Sequence, residues 1–285
     1  MKRYACSILY QYNEKEVGVL LKSALDKLGF YPKFMDIYFN EMKDSFDDIP
    51  YDSNYLRKIL KRDSGTITIK SQLYDDGKRE TNNWFRIGFN IDSPFGLDTC
   101  LFEWSNADLD FLLSDDRFDF FLCSPNLMYC YVYDQYDCMN QSNERIDSYI
   151  INYPGRAYNV VKNFMNVDVV DVSQHWGRYI STRGITFMAA PLMWFGNEYF
   201  KIVPKDVLLK FNGASIVSCS SFDLVRVRLF DLYDGAEKEE NRLRQEEFWR
   251  QLDLQKKAEQ YEKDRPFDFL ARHKERAIAM KKRKK

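Results

Sequence analysis

Residues 66–104 read TITIKSQLYDDGKRETNNWFRIGFNIDSPFGLDTCLFEW, and the fold class follows from how this stretch is punctuated. Three runs rich in β-branched and aromatic residues, TITIKSQLY, WFRIGFNI and DTCLFEW, are separated by the turn-forming clusters DDGK and DSPFG. Short alternating runs joined by Asp, Gly and Pro describe strands connected by reversals, so an antiparallel meander is expected here.

Upstream, YACSILYQY (residues 4–12) reads as a strand. The following EKEVGVLLKSALDKLGF places Val17, Leu20, Leu21, Ala24, Leu25 and Leu28 at helical spacing, with Gly29 as the stop. Between this β-α unit and the meander lies FDDIPYDSNYLRKILKRDSG, which reads as a polar, aromatic-dotted connection. Downstream, SNADLDFLLSDDRFDFFLC begins with a Ser or Asn cap and sets Leu109, Leu112 and Leu113 on one helical face. Pro125 ends that helix, and MYCYVYDQY then gives another strand.

Farther along, VDVVDV, YFKIVP and FDLVRVRLFDLY are strand-like in whole or part, and KDVLLKF is a short helix. Local helices between short strands predict an α+β fold with a mostly antiparallel sheet and packed helices. From Gly235 the composition shifts. AEKEENRLRQEEFWRQLDLQKKAEQYEKDR is strong in helix formers and predicts one long charged C-terminal helix, with a narrow stripe of Leu243, Phe248, Trp249, Leu252 and Ala258. The expected organisation is a globular region over 1–234 and a helical extension with a basic tail over 235–285. The extension is a candidate element for homo-oligomer assembly.

The totals narrow the function. With 285 residues, 45% hydrophobic and 16% aromatic, the chain can bury a substantial core. A net charge of −1 supplies no global field for nucleic acid or anionic lipid. The most apolar run, 185–195, contains Pro191 and is far shorter than the roughly 20 residues a membrane-spanning helix needs. The first residues read as a strand rather than a signal peptide, so a cytoplasmic location is expected. Six dispersed cysteines without a CxxC pair read as buried free thiols.

Catalytic motifs are scarce. His175 and His273 are the chain's two histidines, and no phosphate loop, dinucleotide fingerprint or nucleophile elbow occurs. Asp168 and Asp171 could face a hard cation, but their alternation in VDVVDV describes solvated residues on a strand. Glu41 and Lys43 form an E-x-K pair with no upstream carboxylate partner. No catalytic residue, metal ligand or cofactor is assigned. A carboxylate-dependent metal hydrolase or nuclease stands as the alternative, with a scaffold that assembles through the C-terminal helix as a third reading.

One regional asymmetry points to binding. Residues 92–140 hold ten acidic residues against the single basic Arg117, a local charge of −9. Asp108, Asp110, Asp115, Asp116, Asp119, Asp134 and Asp137 are interleaved with Trp104, Tyr131 and Tyr133. Like charge at this density repels itself, and a cationic protein partner relieves the repulsion while aromatic side chains supply desolvated anchors. These ten residues are the expected partner-binding set. The same acidity argues against direct nucleic-acid binding, which needs clustered Lys and Arg.

The stretch 175–200, HWGRYISTRGITFMAAPLMWFGNEYF, is similar to the late segment of bacterial immunity proteins of polymorphic toxin systems, and most of all to immunity protein family 52. The matching positions are Trp176, Gly177, Arg183, Gly184 and Trp194. The resemblance covers about half of the chain, and the charged C-terminal helix departs from it. It implies a cytoplasmic protein that binds and neutralises a cognate toxin without catalysis. On the residues alone, Gly184 permits a turn flanked by Arg183, and 185–195 is core beside a recognition surface.

Overall fold

The computed structural model describes residues 4–11, 17–19, 21–22, 31–39, 45–62, 64–70, 84–90, 99–106, 122, 124–163, 165–219 and 223–266. Ten strands form one antiparallel sheet: β1 (Tyr4–Gln11), β2 (Phe34–Phe39), β3 (Phe46–Pro50), β4 (Gly65–Lys70), β5 (Trp84–Asn90), β6 (Thr99–Asn106), β7 (Leu127–Asp134), β12 (Leu192–Phe195), β13 (Ser215–Cys219) and β14 (Leu224–Arg228). Their order across the sheet is β13-β14-β12-β7-β1-β6-β5-β4-β2-β3. The β4-β5-β6 meander expected from the quoted stretch is present, with Ile67 opposite Ile87 and Ile87 opposite Phe102.

Two cores lie on opposite faces of this sheet. On the first face Cys6, Ile8, Ile67, Ile87, Phe102 and Val132 meet Val17 and Leu21 of a helical segment and Leu56, Ile59 and Leu60 of α1 (Ser53–Arg62). On the second face Leu9, Tyr129, Tyr131, Met193, Phe195 and Val227 meet the C-terminal half of the chain. Covering both faces explains why β1, β7 and β12 read as unbroken apolar runs where a sheet with one wet face would alternate. Four described cysteines, Cys6, Cys100, Cys130 and Cys138, are buried free thiols.

The stretch 46–65 is more than a connection. It supplies the edge strand β3 and helix α1, whose first turn is capped by Asp52 Oδ1 accepting from the Asn54 and Tyr55 amides at 2.8 and 3.2 Å. Edge position accounts for the polar look of β3, because it carries Asp47, Asp48 and Pro50. An internal ion cluster fixes it to the sheet. Lys70, almost fully enclosed, places Nζ 2.7 Å from Asp36 Oδ1 and also pairs with Asp48, whose amide donates to the same Asp36 oxygen at 2.8 Å.

The second face is built from local elements: α2 (Gln135–Gln141), α3 (Ile146–Asn152), the hairpin β8 (Val160–Lys162) and β9 (Asp168–Val170), the hairpin β10 (Tyr179–Thr182) and β11 (Ile185–Met188), α4 (Asn197–Phe200) and α5 (Lys205–Leu209). The β10–β11 turn is Arg183-Gly184, both at positive φ (51° and 82°), as a two-residue reversal with right-handed strand twist requires. After a 3₁₀ turn at Leu232–Asp234 come α6 (Glu239–Gln251) and α7 (Leu254–Lys263).

The single long C-terminal helix is therefore corrected to two helices. They are broken at Asp253, which sits in the left-handed region at φ 50°, a conformation that short polar Asp tolerates better than most residues. The apolar stripe is consumed internally. Phe248, Trp249, Leu252, Leu254, Ala258 and Tyr261 are buried in the second core, while Leu243 is exposed. Helix α7 packs on the β10–β11 hairpin of the same chain.

Candidate functional site

The structure places the acidic-aromatic set unevenly. Tyr131 is fully buried, donates from its hydroxyl to the Thr186 carbonyl at 3.0 Å, and stacks on Tyr129 at 4.5 Å. Tyr129 in turn accepts from the Thr186 amide at 3.1 Å, so the two rings pin β11 to the sheet. Burial pushes both phenols above their ordinary range, Tyr129 to about 12. Tyr133 is half-buried against the same core. Asp134 Oδ1 accepts from the Tyr136 and Asp137 amides at 3.0 and 3.1 Å, which makes it the cap of α2.

Asp137 pairs with Arg242 of α6. Tyr131, Asp134 and Asp137 thus each have a partner within the fold: the Thr186 carbonyl, two helix amides and, from a distant helix, the partly buried Arg242 guanidinium. Trp104 stands on β6 at the register position between Cys6 and Phe85. Asp108, Asp110, Asp115, Asp116 and Asp119 lie outside the described residues, as do Glu41 and Lys43.

The chain after Asp134 builds a site that the sequence reading missed. Helices α2 and α3, each seven residues long, are tied together by Asn152 donating to Asn140 Oδ1 at 3.1 Å and by Gln141 donating to the Tyr153 hydroxyl at 3.2 Å. Ser142 between them donates to the Cys138 carbonyl at 2.8 Å and accepts the Tyr179 amide of β10 at 3.0 Å. A cleft of about 420 Å³ opens where α2, α3 and β10 meet. Met139, Ile151 and Tyr179 supply its apolar lining, and Asn140, Ser142, Asn143, Ser148 and Asn152 its polar one.

These three apolar side chains are strongly exposed, Ile151 at 77%. Ile150 of α3 and Val160, Val161, Met165 and Val167 of the β8–β9 hairpin are exposed as well. The hairpin's turn is organised by Asn163, whose side-chain oxygen accepts from the Met165 and Val167 amides at 3.0 Å each. Single exposed apolar residues are ordinary on protein surfaces; here three of them line one concave, amide-rich cleft.

Behind the cleft sits His175. Its ring stacks on Tyr149 (centroids 5.8 Å apart, planes 14° apart), and Nδ1 donates to the Gln141 carbonyl at 3.2 Å. Burial holds its pKa below the ordinary histidine range, against the opposing pull of that carbonyl, with Arg178 and Arg242 lowering it further. A histidine with a depressed folded pKa stabilises the fold above its unfolded pKa of about 6.5, and that contribution is lost as pH falls through the folded value. Stability is thus expected to fall from pH 6.5 towards 5, and His175→Gln should flatten this slope in urea melts. An unchanged slope would count against the buried neutral ring.

Of the residues that carry the immunity-protein resemblance, Trp176, Gly177 and Arg183 meet the C-terminal helices, while Trp194 lies on the other face of the sheet. The Trp176 carbonyl accepts from Trp249 Nε1 at 3.1 Å. The Arg178 guanidinium lies 4.4 Å over Trp249 and 5.5 Å from the Trp176 ring, and donates to the His175 carbonyl and Gln255 Oε1. Burial lowers its pKa to about 10. Gly177 gives room to the ion pair beside it, since a methyl there would stand 2.2 Å from an Arg242 nitrogen and 3.1 Å from Asp137 unless those side chains shifted. Arg183 reaches Glu262 at 3.4 Å, Gly184 completes the hairpin turn, and Trp194 lies on the first face of β12. Residues 185–195 are core as expected, buried apart from the half-buried Thr186.

Among the described residues no group of three or more His, Cys, Asp or Glu is placed to share a metal ion. Asp168 pairs with Lys162 at 2.8 Å, and Asp171 accepts the Ser173 amide at 2.9 Å. No described helix is long and apolar enough to cross a membrane.

Fold and site together define an α+β protein: a large antiparallel sheet with an apolar, amide-lined cleft on its helical layer. No protein family and no curated protein matches the chain. Among solved structures it is similar to the Pseudomonas aeruginosa T6SS protein PA0821, at 11% identity and TM-score 0.49, over 89% of this chain and 73% of that one. It is also similar to a chain in the structure of the toxic C-terminal tip of CdiA from Pseudomonas aeruginosa in complex with immune protein, at 16% identity and TM-score 0.30, over 47% of this chain and 88% of that one.

Proposed function

We propose that this chain is a non-catalytic immunity protein that binds and neutralises a cognate toxin. The observation that carries the reading is the cleft between α2, α3 and β10, with Met139, Ile151 and Tyr179 exposed around hydrogen-bonding amides and hydroxyls. Such a surface suits an apolar anchor from a protein partner whose backbone is met by Asn and Ser side chains. The acidic run through Asp108, Asp110, Asp115, Asp116 and Asp119 supplies the second component, a negative field that accelerates and orients encounter with a basic toxin. The Trp-Gly and Arg-Gly positions of the resemblance act indirectly, by holding the helices that support the cleft.

Co-expression with the product of a neighbouring toxin-like gene tests this reading through growth protection and measured affinity. Ile151→Asp combined with Met139→Glu is expected to weaken binding at least a hundredfold by burying charge at the anchor. Asp115→Lys, Asp116→Lys and Asp119→Lys together are expected to slow association at least tenfold at low salt. Both sets leaving protection and affinity intact in a folded protein would remove the proposal's basis.

A further inference from the structure

The two edges of the ten-stranded sheet differ in how they are defended. At one edge, β3 carries Asp47, Asp48 and Pro50, its pairing with β2 shifts register between Met35 and Ile37, and Asp48 adopts φ 54°. Charge, proline and an irregularity are the devices by which natural sheets prevent a further strand from adding. At the other edge, β13 has the sequence SIVSC, with no charge and no proline, in unbroken five-residue register with β14. Among the described residues β14 is its one strand neighbour.

Positive charge lies directly behind this open edge. Arg226 and Arg228 of β14 are exposed, stand opposite Val217 and Ser215 of β13, and project from the same side of the sheet. They are two residues apart, about 6.8 Å along the strand, which is the spacing of alternate side chains on any strand laid beside β13. At the start of β13 a groove of about 600 Å³ is lined by Gly213, Ser215, Arg228 and Arg244 together with Asp231 and Glu247. Both carboxylates are engaged within the chain: Asp231 accepts the Tyr233 amide at 2.9 Å, and Glu247 accepts from Gln251 at 2.7 Å. Arg244 spends one donor on the Leu229 carbonyl at 2.9 Å and keeps the others.

We infer that β13 is a docking edge for an extended protein segment bearing acidic side chains at alternate positions. The segment's backbone pairs with β13, and its carboxylates fall on the side of the sheet from which Arg226 and Arg228 project, with only the Ser215 position between them and Arg228. A second copy of this chain fits less well, because its own β13 brings no acid and leaves both guanidinium groups unanswered. The inference is independent of the proposed toxin cleft. It concerns an edge of the ten-stranded sheet, away from the lining of that cleft, and a partner of opposite charge.

The test uses the full chain and three labelled peptides followed by fluorescence anisotropy: Glu-Val-Glu-Thr-Glu, its Lys-Val-Lys-Thr-Lys counterpart, and the acidic peptide with N-methylated alternate amides. The acidic peptide should bind at least tenfold more tightly than the lysine one, and N-methylation should cost at least tenfold. Arg226→Glu with Arg228→Glu should reverse the charge preference, and the N-methyl comparison needs no variant. Equal binding of acidic and lysine peptides, indifference to N-methylation, or sedimentation showing that the chain pairs with itself through β13 would overturn the inference.

Discussion

A chain ending at Tyr233 should lose its cooperative unfolding transition altogether, because α6 and α7 complete the second core and are no appendage. Phe248, Trp249, Leu252, Leu254 and Tyr261 are all buried against the hairpin and sheet. At about 1.5–3 kcal/mol for each buried large apolar side chain, their removal forfeits roughly 8–15 kcal/mol. That matches or exceeds the whole stability of a typical domain, roughly 5–15 kcal/mol. Circular dichroism at 222 nm during urea titration, with dye binding to exposed apolar surface, would read the loss. A truncated chain that still melts cooperatively would show that the helices are dispensable. The outcome also separates this fold from a scaffold whose C-terminal helix merely assembles copies, since that arrangement predicts a folded monomer.

Lys70→Met is the second large effect. Lys70 and Asp36 are both buried, and the half-exposed Asp48 is held against them, so deleting the ammonium strands the Asp36 carboxylate beside a second acid. Breaking a buried pair from one side costs about 3–5 kcal/mol. The cost should appear as a lower urea midpoint with an unchanged slope. Removing the partner as well, in Asp36→Asn with Lys70→Met, should recover part of it, because the double change no longer strands a buried charge. A double variant less stable than the single one would assign the loss to packing of the lysine stem.

Much of the sheet was legible because alternation and turn chemistry are local. The meander β4-β5-β6 carries its own punctuation, and β1 and β7 announce themselves by largely apolar runs, whereas β12 lay inside the apolar run 185–195 that reads as core and not as a strand. Helix α1 was legible in principle, since Asp52 precedes Leu56, Ile59 and Leu60 at helical spacing, but the aspartates and proline of β3 disguised its surroundings. The cleft was not legible. Its helices are seven residues long, and its exposed Met139, Ile150 and Ile151 follow no amphipathic period, because their apolar side chains face outward.

Long-range partners explain the remaining misreadings. Asp137 looks like surface charge until Arg242, 105 residues later, is brought to it. Asp134 was recognisable from its spacing to Asp137, the pattern of a helix cap. The break at Asp253 left no glycine or proline to mark it, and the apolar stripe on either side of it looked free because nothing local identified the hairpin it covers.

The strand order has a consequence for how the protein is made. β1 is synthesised well before its two neighbours, β6 and β7, which are completed only at residues 106 and 134. During that interval a strand apolar on both faces stays unpaired. Synthesis at about 5–20 residues per second leaves it so for several seconds, long enough for a nascent segment of this kind to need chaperone protection.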